Sequence, residues 1–380
     1  MFAREHLLVT RPATGAGQRH GAGSTARPSG ESSAGIGTTG TDIEFDVEGN
    51  RLMEDLTEAV DIRILGAGQN WIDVSSLAAV GLAGYYSQLP PGSTAAAITG
   101  NPGEMCMKAP RLVADGQYHM AVTTPLWYLK MAIEGRGPFT EPLPLSVIAV
   151  FPHDDRLAFA VRRGTGLTSL HDVRAQKYPL RLSMPTPEMH HPAGWVIDEI
   201  LAQYGLSRED IESWGGEILR DRPQAQNSTT EPPADPSFDA VFDEAFMTRR
   251  WRRLAEGYDL RFLPVDDDVL SHCEALGMER GVIEKGRQRG VDDDVPTVDF
   301  SGWALFCRSD MNERIAYLTA AALDAKSAEI SARFTGEFAA MTEPINLARL
   351  TDTSMPIHPG AAAYYREQTA AQAPQSSPSP

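Results

Sequence analysis

The stretch Val60-Asp-Ile-Arg-Ile-Leu-Gly-Ala-Gly68 decides the fold. Val60, Ile62 and Ile64 alternate with Asp61 and Arg63, the period-two pattern of a strand with one buried face, and the run stops on glycine. A helix rich in small residues is expected over 74–88. The alternation then repeats, with strands at 95–99 and 118–123 and helices at 103–115 and 125–134. Strands alternating with helices predict a parallel sheet covered by helices.

Working outward, strands are expected at 145–151 and 157–162, then a helix at 169–173, a strand at 180–184 and a helix at 193–204. Gly205 is placed to stop that helix in the left-handed conformation, and Ser207 followed by Glu209 and Asp210 starts another. Four prolines make 221–237 a loop. Strands at 238–242 and 260–265 flank a helix over 244–257, and the strand at 300–307 is expected to return the chain to its first half. The pattern describes a two-lobed α/β protein with a cleft. Lobe 1 takes 58–155 and the return at 299–368, and lobe 2 takes 156–298. Residues 1–57 and 369–380, poor in large apolar side chains, read as disordered tails, and Met53 is a candidate start.

Net charge is −17 with a pI near 5.0, a field that repels phosphate backbones and anionic lipid. Nucleic-acid partners and direct membrane insertion are not expected, because no apolar run approaches the ~18 residues of a membrane span. Cys106, Cys273 and Cys307 are too few and too scattered for a disulfide framework or a CxxC metal site. No signal peptide is evident, so the chain as written is expected in the cytoplasm, or outside it if the start is misassigned.

Toward the C-terminus, Met355-Pro-Ile-His358-Pro-Gly360-Ala-Ala-Ala-Tyr364-Tyr365-Arg-Glu367 resembles the Pro-x-His-Pro-Gly-Ala…Tyr-Tyr-x-Glu ending of the TAXI family, the solute-binding subunits associated with TRAP transporters. Gly135-Arg-Gly137-Pro-Phe139, Ser169-Leu-His-Asp172 and Tyr204-Gly205-Leu206 are similar in position. The resemblance spans about 60–367. It implies a type II periplasmic-binding-protein-like fold with a hinged central cleft that closes on a small organic anion such as a carboxylate. A TRAP membrane component is the implied partner if the protein is exported, with no cofactor and no metal. The chain departs from the family where a Gly-Ser-Gly-Thr type loop is usual: here the loop reads Thr186-Pro-Glu188-Met-His190-His191-Pro192.

Ligands of such sheets bind beyond the carboxyl ends of the strands. The first of these ends carries Gly68, Gln69, Asn70 and Trp71, whose amides and polar side chains suit a ligand. Thr123, Thr124 and Trp127 follow the third strand. Glu188, His190 and His191 precede a helix in which Pro192 suits the first position, and these imidazoles serve as ligand contacts or as helix caps. Asp243 and Glu244 follow the strand at 238–242, where they accept a ligand donor or form an acidic first turn. His358 reads as a structural histidine bonded to backbone, Arg249–Arg253 as a solvated face or internal ion pairs, and Asp266–Asp268 and Asp292–Asp294 as exposed loops. A decarboxylase-like enzyme on the same scaffold is the alternative, with His190, His191 and Glu244 as its acid–base groups.

Overall fold

The computed structural model describes residues 56–100, 102–151, 153–186, 191–219, 237–334 and 354–372. All lie within one compact unit, Met53–Pro380. Met53, residues 1–55 of the first tail, most of the 221–237 loop, Glu188 and His190 lie outside the described residues.

Two five-stranded sheets build the two lobes of this α/β fold. In lobe 1, β1 (Asp61–Leu65), β2 (Thr94–Ile98), β3 (Met120–Thr123), β4 (Leu145–Phe151) and β12 (Trp303–Arg308) take the order β2-β1-β3-β12-β4. In lobe 2, β5 (Ala158–Arg162), β6 (Arg181–Ser183), β7 (Glu217–Leu219), β8 (Ala240–Asp243) and β9 (Leu260–Leu263) take the order β7-β6-β8-β5-β9. Neither sheet is wholly parallel as the repeated βα pattern predicts. β12 runs antiparallel to β3 and β4, and β5 antiparallel to β8 and β9. The physical reason is the crossing. The first strand after each passage between lobes enters the new sheet against the direction of its βα strands.

Lobe 1 packs α1 (Gln69–Leu82), α2 (Pro102–Ala114) and α3 (Leu126–Glu134) around its sheet, with α9 (Glu313–Ala325), α10 (Ser327–Arg333) and α11 (Pro359–Gln372) from the chain's end. Lobe 2 carries α4 (Leu170–Gln176), α5 (Pro192–Gln203), α6 (Arg208–Ser213), α7 (Arg249–Gly257) and α8 (Asp267–Leu276). Several features depart from the sequence reading, the start of α1 at Gln69 and not at 74 among them. α7 begins at Arg249 and not at Glu244. Asp266–Asp268 cap and open α8, where acidic side chains meet the positive end of the helix dipole. The strands β10 (Arg280–Ile283) and β11 (Val295–Val298) form a hairpin for which the sequence reading has no strand, with Asp292–Asp294 exposed between them as expected. α11 continues through 369–372, which the sequence assigns to a tail.

Two passes of chain join the lobes, side by side and antiparallel. Leu157 N donates to Val298 O (3.0 Å), Phe300 N to Asp155 O (3.0 Å) and Gly302 N to His153 O (2.9 Å). Helix α3 lies across both cores: Leu126, Leu129 and Ala132 pack into the core of lobe 1, and Trp127, Tyr128 and Met131 into that of lobe 2. The C-terminal segment closes the edge of sheet 1. Val147 N donates to Pro356 O (2.8 Å), His358 N to Val147 O (2.9 Å), and the Tyr365 hydroxyl to Ile148 O (2.6 Å). His358 is fully buried and its Nδ1 accepts from Gly360 N (3.3 Å), in keeping with a structural role.

Candidate functional site

The carboxyl ends of β4 and β8, the start of α5 and the start of β12 meet where the two passes cross. His153 and Asp155 stand on the outward pass. The Asp155 carboxylate is buried and accepts from Arg156 N (2.7 Å), Phe246 N (2.8 Å) and Ala245 N (3.0 Å). Two of these amides belong to the turn after β8, in which Ala245 takes φ 61°, a left-handed conformation costly for a residue with a Cβ. Burial and the nearby charge of Glu244 raise the proton affinity of Asp155 well above the carboxylate range, against the three amides that favour its anion.

Glu244 is buried, and its Oε1 lies 3.5 Å from His191 Nε2. His191 caps α5: its Nδ1 accepts from Ala193 N (3.2 Å), and Pro192 holds the first helical position. A ring whose Nδ1 accepts carries its proton on Nε2, which directs that proton toward Glu244. The cap expected of His191 is made by Nδ1, and the other nitrogen of the same ring faces Glu244. Asp243 is fully buried and pairs with Arg250, Oδ2 to Nη1 at 2.8 Å, so Asp243 anchors α7 from outside its first turn.

His153 completes the cluster. Its ring stands 4.8 Å from that of Trp303, tilted by 37°, and Trp303 meets Trp71 of α1 edge to face at 6.2 Å. Nδ1 of His153 is sealed from solvent with no hydrogen-bond partner among the described residues. Burial lowers its proton affinity, to a pKa of about 4, against the opposing fields of Glu244 and Asp154. The imidazole is thus neutral at neutral pH.

The structure brings together Trp71, His191 and Glu244 from the sequence-derived set, linked through His153 and Trp303. Gly68 is the N-cap of α1 at φ 117°, and Asn70 lies in its first turn beside Trp71. Gln69 opens that helix, with only its backbone described. Thr124 and Trp127 serve the return pass: the Thr124 hydroxyl donates to Gly302 O (3.0 Å) and Trp127 Nε1 to Asp299 O (2.6 Å). Thr123 is buried within β3. His153 and Trp303 were missed, although an isolated histidine just beyond the longest apolar strand was the available signal.

Among the described residues no three His, Cys, Asp or Glu side chains are grouped to hold a metal ion. No helix among them is long and apolar enough to cross a membrane. The Cys273 and Cys307 thiols are buried, and burial pushes that of Cys273 up to about 11.

A family model described as the NMT1-like family matches residues 80–369. No curated protein sequence matches the chain. Solved structures similar to it include the periplasmic sulfonate-binding protein of a putative sulfonate ABC transporter from Methylobacillus flagellatus. That match has 10% identity and a TM-score of 0.42, and covers 83% of this chain and 96% of that one. PhnD1 from Prochlorococcus marinus in complex with methylphosphonate matches at 10% identity and TM-score 0.40, over 82% of this chain and 96% of that one. A TRAP periplasmic solute-binding protein from Sulfitobacter with bound β-D-galacturonate matches at 8% identity and TM-score 0.37, over 82% and 95%.

Proposed function

Because the chain belongs to the NMT1-like family, we propose that it is a solute-binding protein of the periplasmic-binding-protein type, whose lobes close on a small organic molecule at their junction. One observation carries this reading. The two passes between lobes hold His153 against Trp303 of lobe 1 and within the field of Glu244 of lobe 2, so a molecule seated there touches both halves. Rotation about two adjacent passes changes the separation of the strand ends of the two lobes, with α3 the element that both cores share.

The finer reading is a TAXI-type receptor for an organic acid that delivers it to a TRAP membrane component. It is supported by the C-terminal motif and by the start of α1. That helix has a glycine N-cap and no acidic residue in its first turn, so its leading amides and dipole favour a ligand carboxylate beside Trp71.

Native mass spectrometry of protein purified without denaturation tests the reading. The expected result is a retained small molecule that is recovered chemically unchanged and that restabilises the stripped protein by about 2.7 kcal/mol at a hundredfold excess over its Kd. Recovery of a converted product, or a protein that retains nothing and is stabilised by no metabolite extract, overturns it.

A further inference from the structure

We propose that a cavity beside the hinge, between the outward pass and the β10–β11 hairpin, is a second binding site, for a short-chain monocarboxylate. The inference goes beyond the solute-binding reading, because none of Trp71, His153, His191, Glu244 and Trp303 lines that cavity. Its volume is about 80 Å³, room for a few waters or one small organic ion. Arg156 and Arg287 stand in its wall, and Phe246, Met247, Val282 and Ile283 make its apolar part. Val282 is 39% exposed, so an aliphatic tail laid over it removes apolar surface from water. The hairpin leaves space for the Arg156 stem: a Cβ on Gly281 would stand 2.8 Å from its Cδ and 2.9 Å from its Nε.

The two guanidiniums have donors to spare. Asp154 bridges them, its Oδ1 2.9 Å from Arg156 Nη1 and its Oδ2 2.7 Å from Arg287 Nη2. Arg156 Nη1 also donates to Asp155 O (2.6 Å) and Ser301 Oγ (2.8 Å), and its Nε to Val282 O (3.1 Å). Nη2 of Arg156, and Nε and Nη1 of Arg287, make no hydrogen bond to a described residue. One carboxylate thus serves two cations, and the trio keeps a positive charge with N–H donors of the kind that receive a carboxylate. The remaining acids of the lining oppose it little. The Asp155 carboxylate is spent on three amides, and burial raises its proton affinity. Glu284 is exposed, where water screens its charge. A second acid group on the ligand would face the apolar wall, and an inorganic anion would leave that wall wet.

Calorimetry at constant ionic strength in carboxylate-free buffer tests the site with propanoate, butanoate, butanedioate, chloride, phosphate and propylamine. NMR of methyl-labelled methionine locates it. Propanoate or butanoate is expected to bind saturably, tenfold or more tighter than each of the other four probes. The Met247 methyl resonance, assigned from Met247→Leu, is expected to shift in step with that binding. Arg287→Gln, at a side chain 46% exposed, and Val282→Asp are each expected to weaken it at least tenfold, with melting temperature and far-UV circular dichroism retained. No saturable binding, another probe within tenfold of the monocarboxylates, an unmoved Met247 methyl, or a variant that binds as the parent does overturns the inference. The solute-binding reading is tested separately, by the molecule that the native protein retains, so the two fail independently.

Discussion

Ala245 and Asp155 form a local bargain at the hinge: the carboxylate catches two amides of a turn that bends through a left-handed alanine. Glycine adopts that conformation without the Cβ clash, so Ala245→Gly is expected to be neutral or to stabilise by up to ~1 kcal/mol in urea titration. Arg250 is the opposite case. It is 4% exposed and paired with the fully buried Asp243. Arg250→Met is expected to cost ~3–5 kcal/mol by stranding that carboxylate, and Asp243→Asn in the same chain to recover part of the loss. For His153 the sign follows from the lowered proton affinity. The unfolded chain takes up a proton below about 6.5 and the folded one only near about 4, so the contribution is full above 6.5 and is lost as pH falls toward 4. His153→Phe is expected to flatten that acid limb by up to ~3 kcal/mol at pH 4, read from urea midpoints against pH. Asp155 acts in the other direction: its raised proton affinity makes its contribution fade as pH rises above the ordinary carboxylate range.

Helix ends in lobe 2 follow rules readable from single residues. Gly205 stands at φ 65° just past α5, and Ser207 with Asp210 forms a reciprocal capping box on α6, matching the expectation at both positions. Ser207→Ala is expected to cost ~1 kcal/mol in thermal or urea unfolding. β4 coincides with its apolar run because every residue in it is buried, leaving no alternation to misread. The start of α7 was misplaced for a physical reason: Asp243 and Glu244 have the composition of a first turn, but the first is spent on Arg250 and the second faces His191. Such pairings are made in space and leave no trace in local spacing. His153 and Trp303 escaped notice on the same ground, since the whole of lobe 2 lies between two rings in contact. The C-terminal motif, by contrast, declares its purpose in one residue. A Cβ on Gly360 would overlap the Glu313 carbonyl oxygen, so Gly360→Ala is expected to destabilise the packing of α11 on α9 by ~1–3 kcal/mol.

At the scale of the molecule, the two-lobed architecture and the return of the final strand to the first sheet were legible, because both follow from the order of βα units. The mixed strand directions were not, since periodicity is blind to polarity. Nor was the double allegiance of α3, whose consecutive Leu126 and Trp127 enter different cores. A helix buried in both lobes ties their stabilities together. Calorimetric unfolding is accordingly expected to show a single transition, and two separated transitions would show the lobes to be independent.

The strands of lobe 2 come from one uninterrupted stretch of chain, Ala158 to Leu263, whereas the sheet of lobe 1 lacks an inner strand until β12 arrives and an edge cover until α11 does. During synthesis the middle of the polypeptide therefore has all it needs to settle early. The strands that precede β4 must wait, with a gap in their sheet, until β12 has been made to fill it.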